Sequence, residues 1–172
     1  MKTNIALHLA AAICITLASV GAAEVPKVVA KDKILGALEK KPALTRSISA
    51  AAKPSVSIQS ILFKFGTAEV EGPQSYEQIK QLGQALSDPR LKDAVVEIQG
   101  HTDNVGADEA NQKLSEARAA KIVEMLAGLY GVPVANLKAV GKGESAPAAG
   151  TKEQQSDEQR ALNRRVVIER QK

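Results

Sequence analysis

Hydrophobic positions change their spacing several times along this chain, and each change marks an element. In SVSIQSILFKF, Val56, Ile58, Ile61, Phe63 and Phe65 follow the two-residue period of a half-buried strand, which Gly66 and then Gly72-Pro73 interrupt. Tyr76, Ile79, Leu82 and Leu86 recur at three and four residues, one face of a helix that stops at Asp88-Pro89. The run from Ala94 to Ile98 is a short buried strand ended by Gly100 in the loop GHTDNVGAD. Ser115 then precedes Ala119, Ile122, Val123, Leu126 and Leu129, which predicts a longer helix with Ser115 as its N-cap, closing at Gly131 before Pro133. Leu137 to Val140 and Arg165 to Glu169 supply two more strands, separated by a polar excursion over residues 141–159. The order β-α-β-α-β-β predicts an α/β sandwich of the α+β class, a mixed sheet with helices packed on one face.

The pattern upstream is different. Residues 1–23 carry only Lys2, an apolar stretch from Ile5 to Val20 and small residues ending at Ala22 and Ala23, the order of a secretory signal peptide with cleavage near Ala23. Retained, the 19 residues from Ile5 to Ala23 are just long enough to span a bilayer. Residues 24–55 are punctuated by Pro26, Pro42 and Pro54 and hold a single short apolar stripe, Ile34, Leu35 and Leu38. They read as a basic flexible linker with one nascent helix. Residues 56–172 form the folded domain.

Charge sharpens that division. The chain of 172 residues has a formal net charge of +4. Seven basic against three acidic side chains place the basic character in residues 24–55, while residues 56–172 are net −1 with 15 basic and 16 acidic. Nucleic acid is therefore not an expected partner: the domain offers no excess positive charge and no aromatic-basic platform. Two Phe, two Tyr and no Trp are too few for the aromatic girdles of a membrane barrel. One Cys, at position 14, excludes a disulfide scaffold.

The run GHTDNVGADEANQKLSEARAAKIVEML, then GKGESAP and QRALNRRVVI, resembles the OmpA-like peptidoglycan-binding domain, a family that includes the C-terminal domain of OmpA, the peptidoglycan-associated lipoprotein and MotB. The resemblance covers about residues 56–172, with Gly100, His101, Thr102, Asp103, Gly106, Asn111, Leu114, Ser115, Arg118, Ala119, Asn163, Arg164 and Arg165 in register. It implies a non-enzymatic domain that clasps the diaminopimelate residue of a peptidoglycan stem, with no cofactor and no metal, in the periplasm against the cell wall and outer membrane. The positions matching the family's ligand contacts are Asp103, Asn111 and Arg118, with Arg164 in support. Two departures stand out: Lys64-Phe65-Gly66 where the family has Asp and a small polar residue, and Gln159 where it has Gly.

The chemistry of those residues suits the ligand. An unlinked diaminopimelate side chain ends in an ammonium and a carboxylate on one carbon, so its receptor needs opposite charges a few ångström apart. Asp103 accepts from the ammonium; Arg118, read as lying in the first turn after Ser115, meets the carboxylate with the helix dipole behind it. Asn111 offers both a donor and an acceptor. The plainer alternative is an internal Asp103–Arg118 ion pair that pins loop to helix. His101 lacks the companions of a metal site and reads as a structural bridge between loop and sheet. Ser115 has no base at an evident spacing, and Tyr76 and Tyr130 read as packing residues. Two other functions remain in view: a protein-docking module recruited to an envelope complex through the basic arm, and a wall-remodelling hydrolase suggested by His101 and Asp103 lying two apart.

Overall fold

The computed structural model describes residues 26–39 and 53–171; the signal segment and the centre of the basic arm lie outside the described residues. In sequence order the elements are α1 (Lys31–Glu39), β1 (Ser55–Ile58), β2 (Leu62–Phe63), β3 (Val70–Glu71), α2 (Pro73–Leu86), β4 (Val96–His101), α3 (Asp108–Tyr130), β5 (Leu137–Gly143), α4 (Asp157–Asn163) and β6 (Val166–Arg170). Four strands form one mixed sheet in the order β1-β6-β4-β5. The β4–β5 pair is parallel and bridged by α3, while β6 runs antiparallel to both β1 and β4. Helices pack on this sheet, as the sequence pattern predicts. One face supplies the core: Ile58, Val96, Ile98, Val166 and Ile168 are almost wholly buried against Ile79, Leu82, Ile122 and Leu126 of the helices.

Three segments differ from the sequence reading. The single strand expected over SVSIQSILFKF is two: β1 joins the sheet, and after Ser60 and Ile61 the backbone enters a separate hairpin, β2 with β3, in which Leu62 faces Glu71 and Phe63 faces Val70. Ser75 holds that break, its hydroxyl accepting from the Leu62 N–H (2.8 Å) and donating to the Glu71 carbonyl (2.6 Å). The polar excursion over residues 141–159 contains the start of a helix: Ser156 and Gln159 form a reciprocal capping box at the head of α4. Gln159, the departure from the family's Gly, is thus a helix-capping residue.

The third difference is α3, which begins at Asp108, seven residues before the expected N-cap. Ser115 is interior and fully buried. Its hydroxyl donates to the Gln112 carbonyl (2.8 Å) and accepts from the Gly143 N–H (2.9 Å), tying helix to sheet. The approach is so close that a Cβ on Gly100 would collide with the Ser115 carbonyl, and one on Gly141 with the side chains of Ser115 and Glu116. These glycines are required by proximity and fix the height of α3 above β4 and β5. The C-terminal end agrees with expectation, closing on Gly131 in the left-handed conformation at φ 65°.

The reading of residues 24–55 as a flexible arm does not hold for residues 26–39. Helix α1 packs on α2 and β1, with Ile34, Leu35 and Leu38 at most 1% exposed. The segment before it is clamped by the buried Gln78 amide, which accepts from the Val29 N–H (2.5 Å) and donates to the Val29 carbonyl (3.1 Å). Ion pairs Lys31–Asp88 (3.3 Å) and Glu39–Arg90 (3.3 Å) flank the helix. Three aliphatic residues were too few for a core of their own, but they complete a core that the domain already has, at roughly 1.5–3 kcal/mol for each large side chain buried.

Candidate functional site

Sheet and helix ends converge where β4 leaves the sheet. His101 closes β4, and its N–H donates to the Arg165 carbonyl at the head of β6 (3.0 Å). The loop that follows folds on itself: Asp103 Oδ1 accepts from the Val105 N–H (3.2 Å), and Gly106 adopts φ 107°. The Asp103 side chain is only 14% exposed, and its Oδ2 pairs with Arg164 Nη1 at 2.6 Å. Arg164 is the C-cap residue of α4, and Asn163 beside it is fully buried, its amide holding the 148–149 backbone through three hydrogen bonds.

Arg118 reaches the same place from the other side. It is the eleventh residue of α3, not part of its first turn, so the helix N-terminus contributes nothing beside it. Its Nε donates to the Thr67 carbonyl at 3.0 Å, and its guanidinium carbon stands 4.9 Å from the centre of the Phe63 ring. Both contacts come from the β2–β3 hairpin, which thereby orients the side chain by a hydrogen bond and a cation–π contact. Burial and the nearby Arg164 push the Arg118 pKa down, while Asp103 draws it up. The internal pair weighed above takes another form: Asp103 bonds Arg164, and among the described residues no carboxylate pairs with Arg118.

A cavity of about 70 Å³ is lined by Phe63, His101, Arg118, Arg164 and Arg165 with neighbouring apolar residues; Asp103 bonds Arg164 of its wall but does not itself line it. Arg165, which follows Arg164 in the sequence, lines the cavity as well. Among the described residues its guanidinium bonds only the carbonyls of Ala146 (2.9 Å) and Asn163 (3.3 Å). His101 is 5% exposed, and neither ring nitrogen has a hydrogen-bond partner among the described residues. Burial first, then Arg165 and Lys142, push its pKa down to about 4 against a smaller upward pull from the Ala146 backbone, so it is neutral at pH 7.

Asn111 occupies a different place from the one its residue type suggested. It is 6% exposed, and its Nδ2 donates to the Asp103 carbonyl (3.3 Å), the Val105 carbonyl (3.1 Å) and Glu144 Oε2 (2.6 Å). Its donors are spent on shaping the loop that presents Asp103. Phe63, the Thr67 carbonyl and Glu144 escaped the sequence reading. Phe63 was legible only as one beat of an alternating strand, and a backbone carbonyl carries no sequence signal.

Fold and cleft together define a small α+β domain with a mixed sheet, a crossover helix and a charged cleft where the central strand ends. The chain belongs to the OmpA family, whose sequence model matches residues 62–161. Outer membrane porin F of Pseudomonas aeruginosa is 39% identical over 109 residues, which cover 63% of this chain and 29% of the porin. The chain therefore spans well under half the length of that relative. Among solved structures, the peptidoglycan-associated lipoprotein of Burkholderia pseudomallei superposes with a TM-score of 0.55 at 30% identity, over 67% of this chain and 89% of the lipoprotein. The cell wall anchor of the type VI secretion system of Pseudomonas aeruginosa superposes with a TM-score of 0.54 at 30% identity, over 69% of this chain and 81% of the anchor.

Proposed function

We propose that this domain binds peptidoglycan without cleaving it, through the zwitterionic end of a diaminopimelate residue, and so anchors the protein to the cell wall in the periplasm. The carrying observation is a mostly buried carboxylate, Asp103, bonded to Arg164 of the cavity wall and felt electrostatically by Arg118, a guanidinium of the same wall that has no carboxylate partner among the described residues. The ligand ammonium sits on Asp103 and its carboxylate on Arg118; Arg164 holds Asp103 in place and Asn111 shapes the loop beneath it. Kinship with a lipoprotein named for peptidoglycan and with a cell wall anchor supports the polymer as partner. Envelope proteins that engage the basic N-terminal arm are thereby tethered to the wall.

The chemistry favours binding over hydrolysis. Ser115 is sealed in the helix–sheet interface, and His101 and Asp103 do not bond each other, so neither is part of a nucleophile–base pair. Charge-assisted hydrogen bonds contribute about 1.5–3 kcal/mol each, so one clasp is modest and retention comes from repetition of the stem along the polymer. Sedimentation with purified sacculi tests this: Asp103→Ala and Arg118→Ala proteins should stay in the supernatant while wild type pellets. Co-sedimentation of both variants at wild-type levels would refute the assigned site.

A further inference from the structure

The cleft holds more positive charge than a zwitterion needs. Three guanidinium groups line it, from Arg118, Arg164 and Arg165. Asp103 supplies one carboxylate, bonded to Arg164, and a bound zwitterion adds no net charge, so the positive excess persists with the diaminopimelate end in place. Among the described residues Arg165 bonds only two backbone carbonyls, and burial pushes its pKa down. A half-buried cation with no counter-charge beside it among the described residues favours an anion that supplies one. His101 stands in the same cleft, nine-tenths buried and without a partner at either ring nitrogen among the described residues. As a neutral imidazole it offers one N–H, the donor a carboxylate oxygen accepts.

We propose that Arg165 and His101 form a second anion subsite, which takes a further carboxylate of the same peptide stem. This rests on the stem reading above and adds a selectivity to it: the domain prefers stems whose carboxylate beyond the diaminopimelate zwitterion is free, and discriminates against its amide. Arg165 and His101 line the same cavity as Arg118, so a stem seated on Arg118 brings a further carboxylate within their reach. A carboxylate on Arg165 also removes one cause of the low His101 basicity, because it screens Arg165 and can accept from the ring. Its arrival therefore raises the His101 pKa from about 4.

The test is calorimetric titration of the wild-type protein with three synthetic stems of alanyl-γ-glutamyl-diaminopimelate: one with all carboxylates free, one amidated at the C-terminal carboxylate, and one amidated at the glutamate α-carboxylate. One amidation should weaken binding by at least about tenfold, the scale of a lost charge-assisted bond, and which one does so identifies the carboxylate. In Arg165→Gln the free and amidated stems should bind alike. Imidazole resonances of His101 should report a higher pKa with the free stem than with the discriminated amide. Equal wild-type affinity for all three stems overturns the second subsite while leaving stem binding intact, and needs no variant to fold. Discrimination that persists unchanged in Arg165→Gln overturns the assignment to Arg165. Failure of all three stems to bind overturns the stem reading itself and the subsite with it.

Discussion

Charged side chains occur in two places on this domain and are handled in opposite ways. On the sheet face away from the core, Glu97 meets Lys138 (3.3 Å) and Lys142 (3.9 Å), Gln99 bridges Glu97 and Glu169, and Glu169 meets Lys53 (3.2 Å). Each carboxylate there has a cation, and the amide between them bonds both. In the cleft beyond His101, only Arg164 of three guanidinium groups bonds a carboxylate among the described residues, and a buried imidazole there has no partner among them. The first arrangement is matched by itself and contributes to the fold; the second leaves guanidinium groups without carboxylates among the described residues. Net charge would miss the distinction, since the domain as a whole is net −1 over residues 56–172.

The contrast between the two regions breaks most visibly on the acid side. His101 has its folded pKa depressed to about 4 from an ordinary 6.5, so the unfolded protein binds the proton more readily than the folded one. The stability it contributes is fully present above about pH 6.5 and is lost as pH falls toward 4, by up to roughly 3 kcal/mol. Urea unfolding of wild type and His101→Gln across that window should show the slope in wild type only. A next, smaller effect separates the two regions directly. Arg118→Ala should weaken sacculus binding by about tenfold or more, with the melting temperature held within a few degrees, because the lost cation had no carboxylate to leave behind. Glu97→Gln should do the reverse, costing about 1 kcal/mol or less in denaturant titrations with wall binding unchanged. Smallest of all, Phe65 is 99% exposed at the tip of the β2–β3 hairpin, so Phe65→Ser should leave thermal stability unaltered, as calorimetry would register.

The same contrast explains what the sequence made legible. Strand and helix periods placed α2, β4, β5 and β6 to within a few residues, because their apolar faces point to one core. The start of α3 was misplaced because Asp108, Glu109 and Asn111 read as loop chemistry, and Ser115 has the residue type of a cap while acting as an interior bridge between helix and sheet. Helix α1 was read as linker because three apolar residues cannot fold alone; the surface that receives them comes from α2 and β1, distant in sequence. In the candidate site, Asp103 and Arg118 were named by motif, but their partners were not. Arg164 rather than Arg118 holds Asp103, and the Thr67 carbonyl and Phe63 ring hold Arg118. Pairing of charges is a matter of side-chain reach across the fold, which spacing along a sequence does not encode.

The unmatched cleft, and not the matched sheet face, is the surface proposed to receive the wall. An NMR titration with a soluble diaminopimelate-containing stem peptide reads both regions in one experiment. The Nε–H resonance of Arg118 and the backbone amides of Asp103 and Val105 should move in proportion to bound ligand, while the side-chain amide of Gln99 stays still. Saturable shifts at Gln99, Glu169 and Lys138 with Arg118 and Asp103 unmoved would contradict it.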